Sequence, residues 1–486
     1  VTTTEPNHPT SPAGPPARPR PAVANPANLT QRMGALATSR IARNSFFIAA
    51  STFAGSGLGY VYWFVVARTY SPEATGLSAA LVTAMMATAV FATSGIGMGL
   101  IESLPGCVDD RAWSRTLLAG CVATVAAGGV AGMVVAVILP HASPRLSALQ
   151  RPTVMACFVV GVVVTGVGAL LDLAAVAERR SGIQLVRTLL FNVSKVFALF
   201  VPYIVFHDAP AVLASWVAGT AVSLLPAWYR LARGHRRFTA HFRGVIGEAG
   251  RLWKSFVGHH LATVGAILAI YVLPTMVVSR LGAVQGAYFY TTWMLGSAFF
   301  MISPAVASTL FAEGANEPAE LGSATRKCAV LIGVVLAPLL LLYLTAGRYL
   351  LLLFGPDYPR HGRLLLFLLT LSAIPDAVTN VAVSVLRALG RLRAAVWLNV
   401  GMLVLALAGS WVLLPVMGIA GVGMAWLVSQ TVGALAVLAV PLGRWATRPT
   451  AAIPPETVAI PPKAGSLGAA TWPLVQPVND DQNAQL

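Results

Sequence analysis

The sequence predicts an all-α, polytopic membrane protein of about 12 transmembrane helices, arranged as two six-helix lobes related by a pseudo-two-fold axis along the membrane normal. Three observations predict it. Of 486 residues, 56% are hydrophobic and only 10% charged, where soluble domains carry about a quarter charged residues. The apolar residues gather in stretches of about 19 to 28, each long enough to cross roughly 30 Å of hydrocarbon as a helix. These stretches form two similar sets, and no loop between them is long enough to hold a soluble domain.

Residues 1–44 are rich in Pro, Ala and Thr and lack the apolar core of a signal peptide, so they read as a disordered cytoplasmic tail before an uncleaved first helix. The N-lobe, 45–230, contains apolar segments at 45–67, 77–100, 116–139, 153–176, 188–206 and 211–229. In the first, Gly55, Gly57 and Gly59 allow close helix contact or bending. A basic cytoplasmic linker at 231–255 follows. The C-lobe, 256–442, contains segments at 256–279, 284–311, 328–346, 364–386, 395–414 and 420–440, with Pro274, Pro304 and Pro338 as possible kink points. Beyond it, 443–486 carries Pro454, Pro455, Pro461 and Pro462 and few large apolar residues, so it reads as a disordered cytoplasmic tail.

The formal charge of +16 is decided by where the cations sit rather than by their sum. With the N-terminus in the cytoplasm, roughly 25 of the 33 Lys and Arg fall in cytoplasmic tails and loops and about 7 outside. The linker is the largest contributor, with Arg233, Arg236, Arg237, Arg243, Arg251 and Lys254 following Arg230. Such a bias fits a topology anchor against anionic lipid, with no nucleic-acid partner. Cys107, Cys121, Cys157 and Cys328 are scattered and lack metal-ligand spacing, so no metal and no cofactor is expected.

The two sets echo one another at offsets near 210 residues. Arg68 and Gly76 follow the first segment as Arg280 and Gly286 follow the seventh. A turn with Arg180 and Gly182 is matched by one with Arg387 and Gly390, and Phe191, Asn192, Val193 by Leu398, Asn399, Val400. An even number of crossings per half gives both lobes the same orientation.

Several local patterns carry a resemblance: Arg68 to Gly76 after the first helix; Leu353, Phe354, Gly355, Pro356, Asp357, Tyr358 before the tenth; Leu386, Arg387, Ala388, Leu389, Gly390, Arg391 after it; and Gly418, Ile419, Ala420, Gly421 before the twelfth. Over about residues 40 to 442 the chain resembles the multidrug/oligosaccharidyl-lipid/polysaccharide exporter superfamily, within it the polysaccharide-biosynthesis flippases. The resemblance implies a two-lobed bundle in the plasma membrane, moving a lipid-linked oligosaccharide or polysaccharide precursor from the cytoplasmic to the outer leaflet. It also implies membrane lipids and polysaccharide-assembly enzymes as partners. Peptidoglycan-precursor flippases of the superfamily usually carry two further helices, which this sequence does not offer.

Intramembrane charges are the sharpest functional clues, because an ionised group at the bilayer centre costs at least a few kcal/mol unless paired or hydrated. Lys195 lies well inside the fifth segment and Asp172 in the fourth; counted from Gly182 they are nearly level, so one reading pairs them across the hairpin. The other turns Lys195 into a cavity, where it attracts a diphosphate, joined by Arg68, Arg187, Arg280 and Arg387. Those four arginines lie near helix ends, where snorkelling explains them equally well. Asp376 sits midway along the tenth segment beside Pro375, and with Asn380 it forms a polar break that either binds a coupling ion or is hydrogen-bonded packing; Asp172 is a further candidate for ion coupling. His259 and His260 open the seventh segment as interface anchors.

An exporter of drugs or cations would need an acidic, aromatic cavity, which Lys195 opposes. A membrane-embedded glycosyltransferase or polymerase would need clustered acids or a large outer loop, and the outer loops offer Glu73, Asp208 and Asp357. A nucleotide-driven pump would need a phosphate-binding Gly-x-x-x-x-Gly-Lys-Ser/Thr loop, and none occurs. The chain is therefore expected to be a transporter and not an enzyme.

Overall fold

The computed structural model describes residues 40–205, 208–234, 236–239, 243–316 and 321–439, without the side chains of 40–46, 49, 94, 202–205, 251–268 and 308–316. The expected tails at 443–486 and, for all but its last residues, 1–44 lie outside this set, as do the side chains of His259 and His260. The described residues are helical, with one isolated bridge between Arg233 and Arg237.

The first half contains α1 (Arg40–Thr69), α2 (Pro72–Ser103), α3 (Asp110–Ala142), α4 (Pro152–Ala177), α5 (Gly182–Val205) and α6 (Ala209–Ala232). The second contains α7 (Val245–Leu281), α8 (Ala283–Ser297), α9 (Phe299–Asn316), α10 (Leu321–Leu352), α11 (Tyr358–Ala388), α12 (Leu392–Met417) and α13 (Ala420–Ala439). Among the described residues nine helices are long and apolar enough to cross a membrane, all but those at the first, seventh and eighth expected segments. Their outward faces are apolar: Val130, Val134 and Ile138 form an exposed i, i+4, i+8 stripe on α3. This is a multi-pass membrane protein.

Helix ends follow local chemistry. Ser71 is extended and its hydroxyl accepts from the Ala74 amide at 3.2 Å, with Pro72 next to it, so α2 starts one turn after α1 stops. Asp109 caps α3 through the Ala112 amide at 2.6 Å. Two expectations are revised. The helix at the seventh segment begins at Val245, inside the expected linker. The eighth segment is broken between α8 and α9, where the Ala298 amide turns back to Leu295 and Leu369 of α11 presses into the space a side chain at Gly296 would fill.

The halves have the same packing plan. α1 packs on α5 as α7 does on α12, α5 on α6 as α12 on α13, α2 on α4 as α8 and α9 on α11, and α4 on α6 as α11 on α13. The turn after α4 repeats after α11, bond for bond: the amides of Glu178, Arg179 and Arg180 return to Ala174, Val176 and Ala175, and those of Leu389, Gly390 and Arg391 to Val385, Arg387 and Leu386. Arg179 and Gly390 hold the same left-handed position, at φ 54° and 71°. The structural register therefore pairs Arg180 with Arg391 and not, as the sequence echo suggests, with Arg387.

The lobes meet along α2, α7 and α8. The repeat-equivalent glycines lie back to back: a Cβ on Gly286 would sit 3.6 Å from the Gly76 Cα, and one on Gly76 only 1.7 Å from the Ala283 oxygen. Around this point Arg68 donates to the Leu353 carbonyl at 2.6 Å, Thr275 to the Ala80 carbonyl at 3.2 Å, and Phe64 meets Phe354 edge to face at 5.8 Å. This contact is at the end of the bundle opposite the linker, so the lobes are closed at that far end. The linker is docked on the N-lobe: Arg236 donates to the Cys107 carbonyl, the Thr239 amide to the Ser114 hydroxyl, and Thr116 to Glu248.

Candidate functional site

Asp376, Thr379, Asn380, Val383, Ser384 and Arg387 recur at helical spacing on one face of α11. This face forms one wall of a cavity of about 410 Å³ within the C-lobe. Phe300 and Pro304 of α9, Asn399 and Met402 of α12, and Trp426, Ser429 and Gln430 of α13 supply much of the rest. Pro375 lies inside α11 and lacks the amide that would bond to the carbonyl one turn earlier, so backbone polarity is released beside Asp376 in an otherwise apolar helix.

The carboxylate is buried but not bare. Asn380 Nδ2 donates to Asp376 Oδ2 at 3.0 Å and to its carbonyl at 2.9 Å. Thr379 Oγ1 lies 2.9 Å from the Asp376 carbonyl and 3.1 Å from Gln430 Oε1, while Ser429 donates to the Met402 carbonyl at 2.6 Å. Trp426 packs edge to face on Trp293 at 5.0 Å, and its indole N–H is buried without a partner among the described residues. Chemically, the cavity offers one carboxylate with amide and hydroxyl oxygens at one level and a guanidinium at another.

The structure does not bring the five expected cations together. Arg387 lines the cavity with Asp376 and Asn380. Arg68 is spent on the far-end contact between lobes, and Arg280 lies 3.5 Å above the Trp411 ring. Arg187 is ion-paired with Asp172, its Nε 2.6 Å from Oδ1 and its Nη2 on Oδ2. The hairpin ion pair thus exists, but with Arg187 in place of Lys195. Equal height on two helices fixes no direction around them, and α5 turns Lys195 toward α1 and α6, away from α4.

Lys195 is 1% exposed, inside the N-lobe. Its ammonium is caged by three rings, 4.2 Å from Trp216, 4.5 Å from Phe191 and 4.7 Å from Tyr62. Tyr62 is fixed in turn by a 2.7 Å hydrogen bond to Ser215. α6 reaches this close because residue 219 is glycine: a Cβ there would lie 2.7 Å from the Lys195 Cβ. Sequence reasoning missed the cage; Phe191, one turn before Lys195, was the readable part of it. It also missed Gln430, a long polar side chain in an apolar segment.

No protein-family model and no curated protein matches the sequence. Solved structures do. An inward-facing multidrug resistance MATE family transporter of the MOP superfamily is 14% identical, covering 81% of this chain and 94% of that one at a TM-score of 0.64. The lipid II flippase MurJ, in an inward closed conformation, is 9% identical, with 82% and 89% covered at 0.66. MATE in a straight conformation is 12% identical, with 84% and 96% covered at 0.54. The chain shares the fold of these solved structures. These neighbours are transporters, and the cavity described above lies wholly within one of the two lobes.

Proposed function

We propose that the chain is a flippase that carries a lipid-linked oligosaccharide or polysaccharide precursor from the cytoplasmic to the outer leaflet of the plasma membrane by alternating access, with both termini cytoplasmic. The observation that carries this reading is the sharing of one cavity by Asp376, Asn380 and Arg387. A guanidinium at the linker end of that cavity suits a diphosphate, and a carboxylate deeper in suits a coupling proton or sodium ion. Arg387 takes the role expected of Lys195, which acts from inside the N-lobe by tying α1 to α5 and α6. The seam between α1 and α8 supports sideways passage of a lipid tail: Tyr60 donates to the Met294 carbonyl at 2.9 Å, but a Cβ added at Gly57 or Gly59 would meet no atom within 4 Å. Polysaccharide-assembly enzymes would supply the cargo and receive it.

A second reading, export of drugs or other cations, is favoured by Phe300 and Trp426 beside Asp376. Proteoliposomes decide between them. Flipping of a fluorescent polyprenyl-diphosphate glycan should fall about tenfold in Arg387→Gln and partly recover in Arg387→Lys, the loss of one charge-assisted phosphate contact. Transport of a lipophilic cation with no glycolipid flipping would overturn the flippase reading.

A further inference from the structure

A second large groove lies at the far end of the C-lobe, between the end of α10 and the start of α11, with a volume of about 940 Å³. Arg348 comes from α10, Arg360 and Arg363 from α11, and Tyr349, Leu364 and Phe367 complete the working part of the lining. Two close approaches shape it. A Cβ on Gly347 would lie 3.1 Å from Leu366 of α11, and one on Gly362 only 2.3 Å from the Thr292 hydroxyl of α8, so α11 is held close to both α10 and α8 behind the groove.

Three features make these arginines unusual. No described side chain forms an ion pair or hydrogen bond with any of the three guanidinium groups. Arg360 and Arg363 lie in the first two turns of α11, where the helix dipole is positive and cations are disfavoured. They also lie at the end opposite the basic linker, on the side that the distribution of Lys and Arg otherwise avoids. Clustered cations placed against both local and global fields are stable where an anion completes the site. Toward the membrane the groove continues over Leu364 and Phe367, 53% and 49% exposed, which suits a hydrocarbon chain rather than water.

We propose that this groove binds the phosphate-bearing headgroup of an anionic phospholipid of the outer leaflet, with its acyl chain along Leu364 and Phe367. The guanidinium groups take the phosphate by paired N–H donors, as planar forks do. The site adjoins Leu353, whose carbonyl receives the Arg68 bond between lobes, so the bound lipid sits beside the far-end contact.

The test uses the full chain in detergent and follows thermal stabilisation by short-chain phosphatidylglycerol, short-chain phosphatidylcholine and inorganic phosphate at equal ionic strength. Phosphatidylglycerol should half-saturate at a concentration at least about tenfold lower than phosphatidylcholine. The variant R348Q/R360Q/R363Q should raise that concentration about tenfold or more, R348K/R360K/R363K should keep part of the affinity, and the linker control R230Q/R237Q/R243Q should leave it unchanged. If the triple variant fails to fold, Arg363→Gln alone carries the same comparison. Equal phosphatidylglycerol binding by the glutamine variant, equal loss in the linker control, or saturation by inorganic phosphate as tight as by the lipid would each overturn the proposal.

Discussion

Gly76→Ala should open the far end of the molecule. The new Cβ would stand 1.7 Å from the Ala283 oxygen and 2.6 Å from the Ala287 amide nitrogen, both backbone atoms that cannot rotate away. The lobes must separate by roughly 1.5 Å to restore contact distance, and forced overpacking of this kind costs about 1–3 kcal/mol. Alanine's better helix propensity does not offset it, because that gain is the same whether the lobes are together or apart. The equilibrium should move about 5- to 150-fold away from the closed far end. Crosslinking of Phe64→Cys with Phe354→Cys, a pair whose rings are 5.8 Å apart, reports that contact once Cys107, Cys121, Cys157 and Cys328 are replaced. The rate should drop at least about fivefold in Gly76→Ala, and not in Gly57→Ala, where the space is open. An unchanged rate in a folded Gly76→Ala would refute the argument that glycine at this position permits closure.

Other variants address the charges. Asp172→Asn or Arg187→Gln should each cost about 3 kcal/mol in unfolding experiments, since either strands a partly buried charge. In double-mutant cycles Asp172 and Arg187 should couple by more than about 1 kcal/mol, while Asp172 and Lys195 should be additive. Lys195→Met keeps the apolar stem and exchanges the cation–π contacts for relief from burying a charge, so stability should change by less than about 1 kcal/mol and surface polysaccharide export should persist. Lost export in a folded Lys195→Met would give the ammonium a direct part in the path. Asp376→Asn should weaken the dependence of transport on a proton or sodium gradient; full dependence in proteoliposomes would reject coupling at that residue.

Hydropathy read the spans well because the bilayer imposes a length and a polarity that any crossing helix must satisfy. The segment expected at 77–100 lies inside α2, and that at 364–386 inside α11. What it could not read depends on contacts. The start of α7 is too polar to register as a span and is helical because Val245 and Ala249 bury against Leu118 and Ala119 of α3. At the break before α9 the packing partner is Leu369, which is remote in sequence. The same limit governs the site. Pro375, Asp376 and Asn380 are neighbours in the chain and were legible together, and Arg387 was noted without its connection to them. Asp172 pairs with Arg187 and not with Lys195 because rise along a helix is countable from sequence, whereas azimuth is set by which helix packs where. Lys195 was legible as costly but not as caged, since Tyr62 and Trp216 come from other helices.

The different charge environments of the two lobes put coupling in the C-lobe under the proposed function. The N-lobe cations Lys195 and Arg187 are already satisfied by rings and by Asp172, so neither is left to hold a coupling partner. The sequence suggested a division of labour, with cargo held by Lys195 and the ion by Asp376; the structure places Arg387 and Asp376 in one cavity instead. Along α11 the two are separated by about 16 Å of helical rise. At an effective dielectric constant near 20 a unit charge on a phosphate held at Arg387 would be repelled by the carboxylate by about 1 kcal/mol, or roughly a fivefold change in affinity when the carboxylate is neutralised. That is too little to drive a cycle by direct repulsion. Ion binding at Asp376 must therefore act mainly on the shape of the Pro375 break, and Asp376→Asn should shift glycolipid affinity by no more than about fivefold while altering far-end crosslinking by more. A larger change in affinity with no change in crosslinking would place the coupling in the charges themselves.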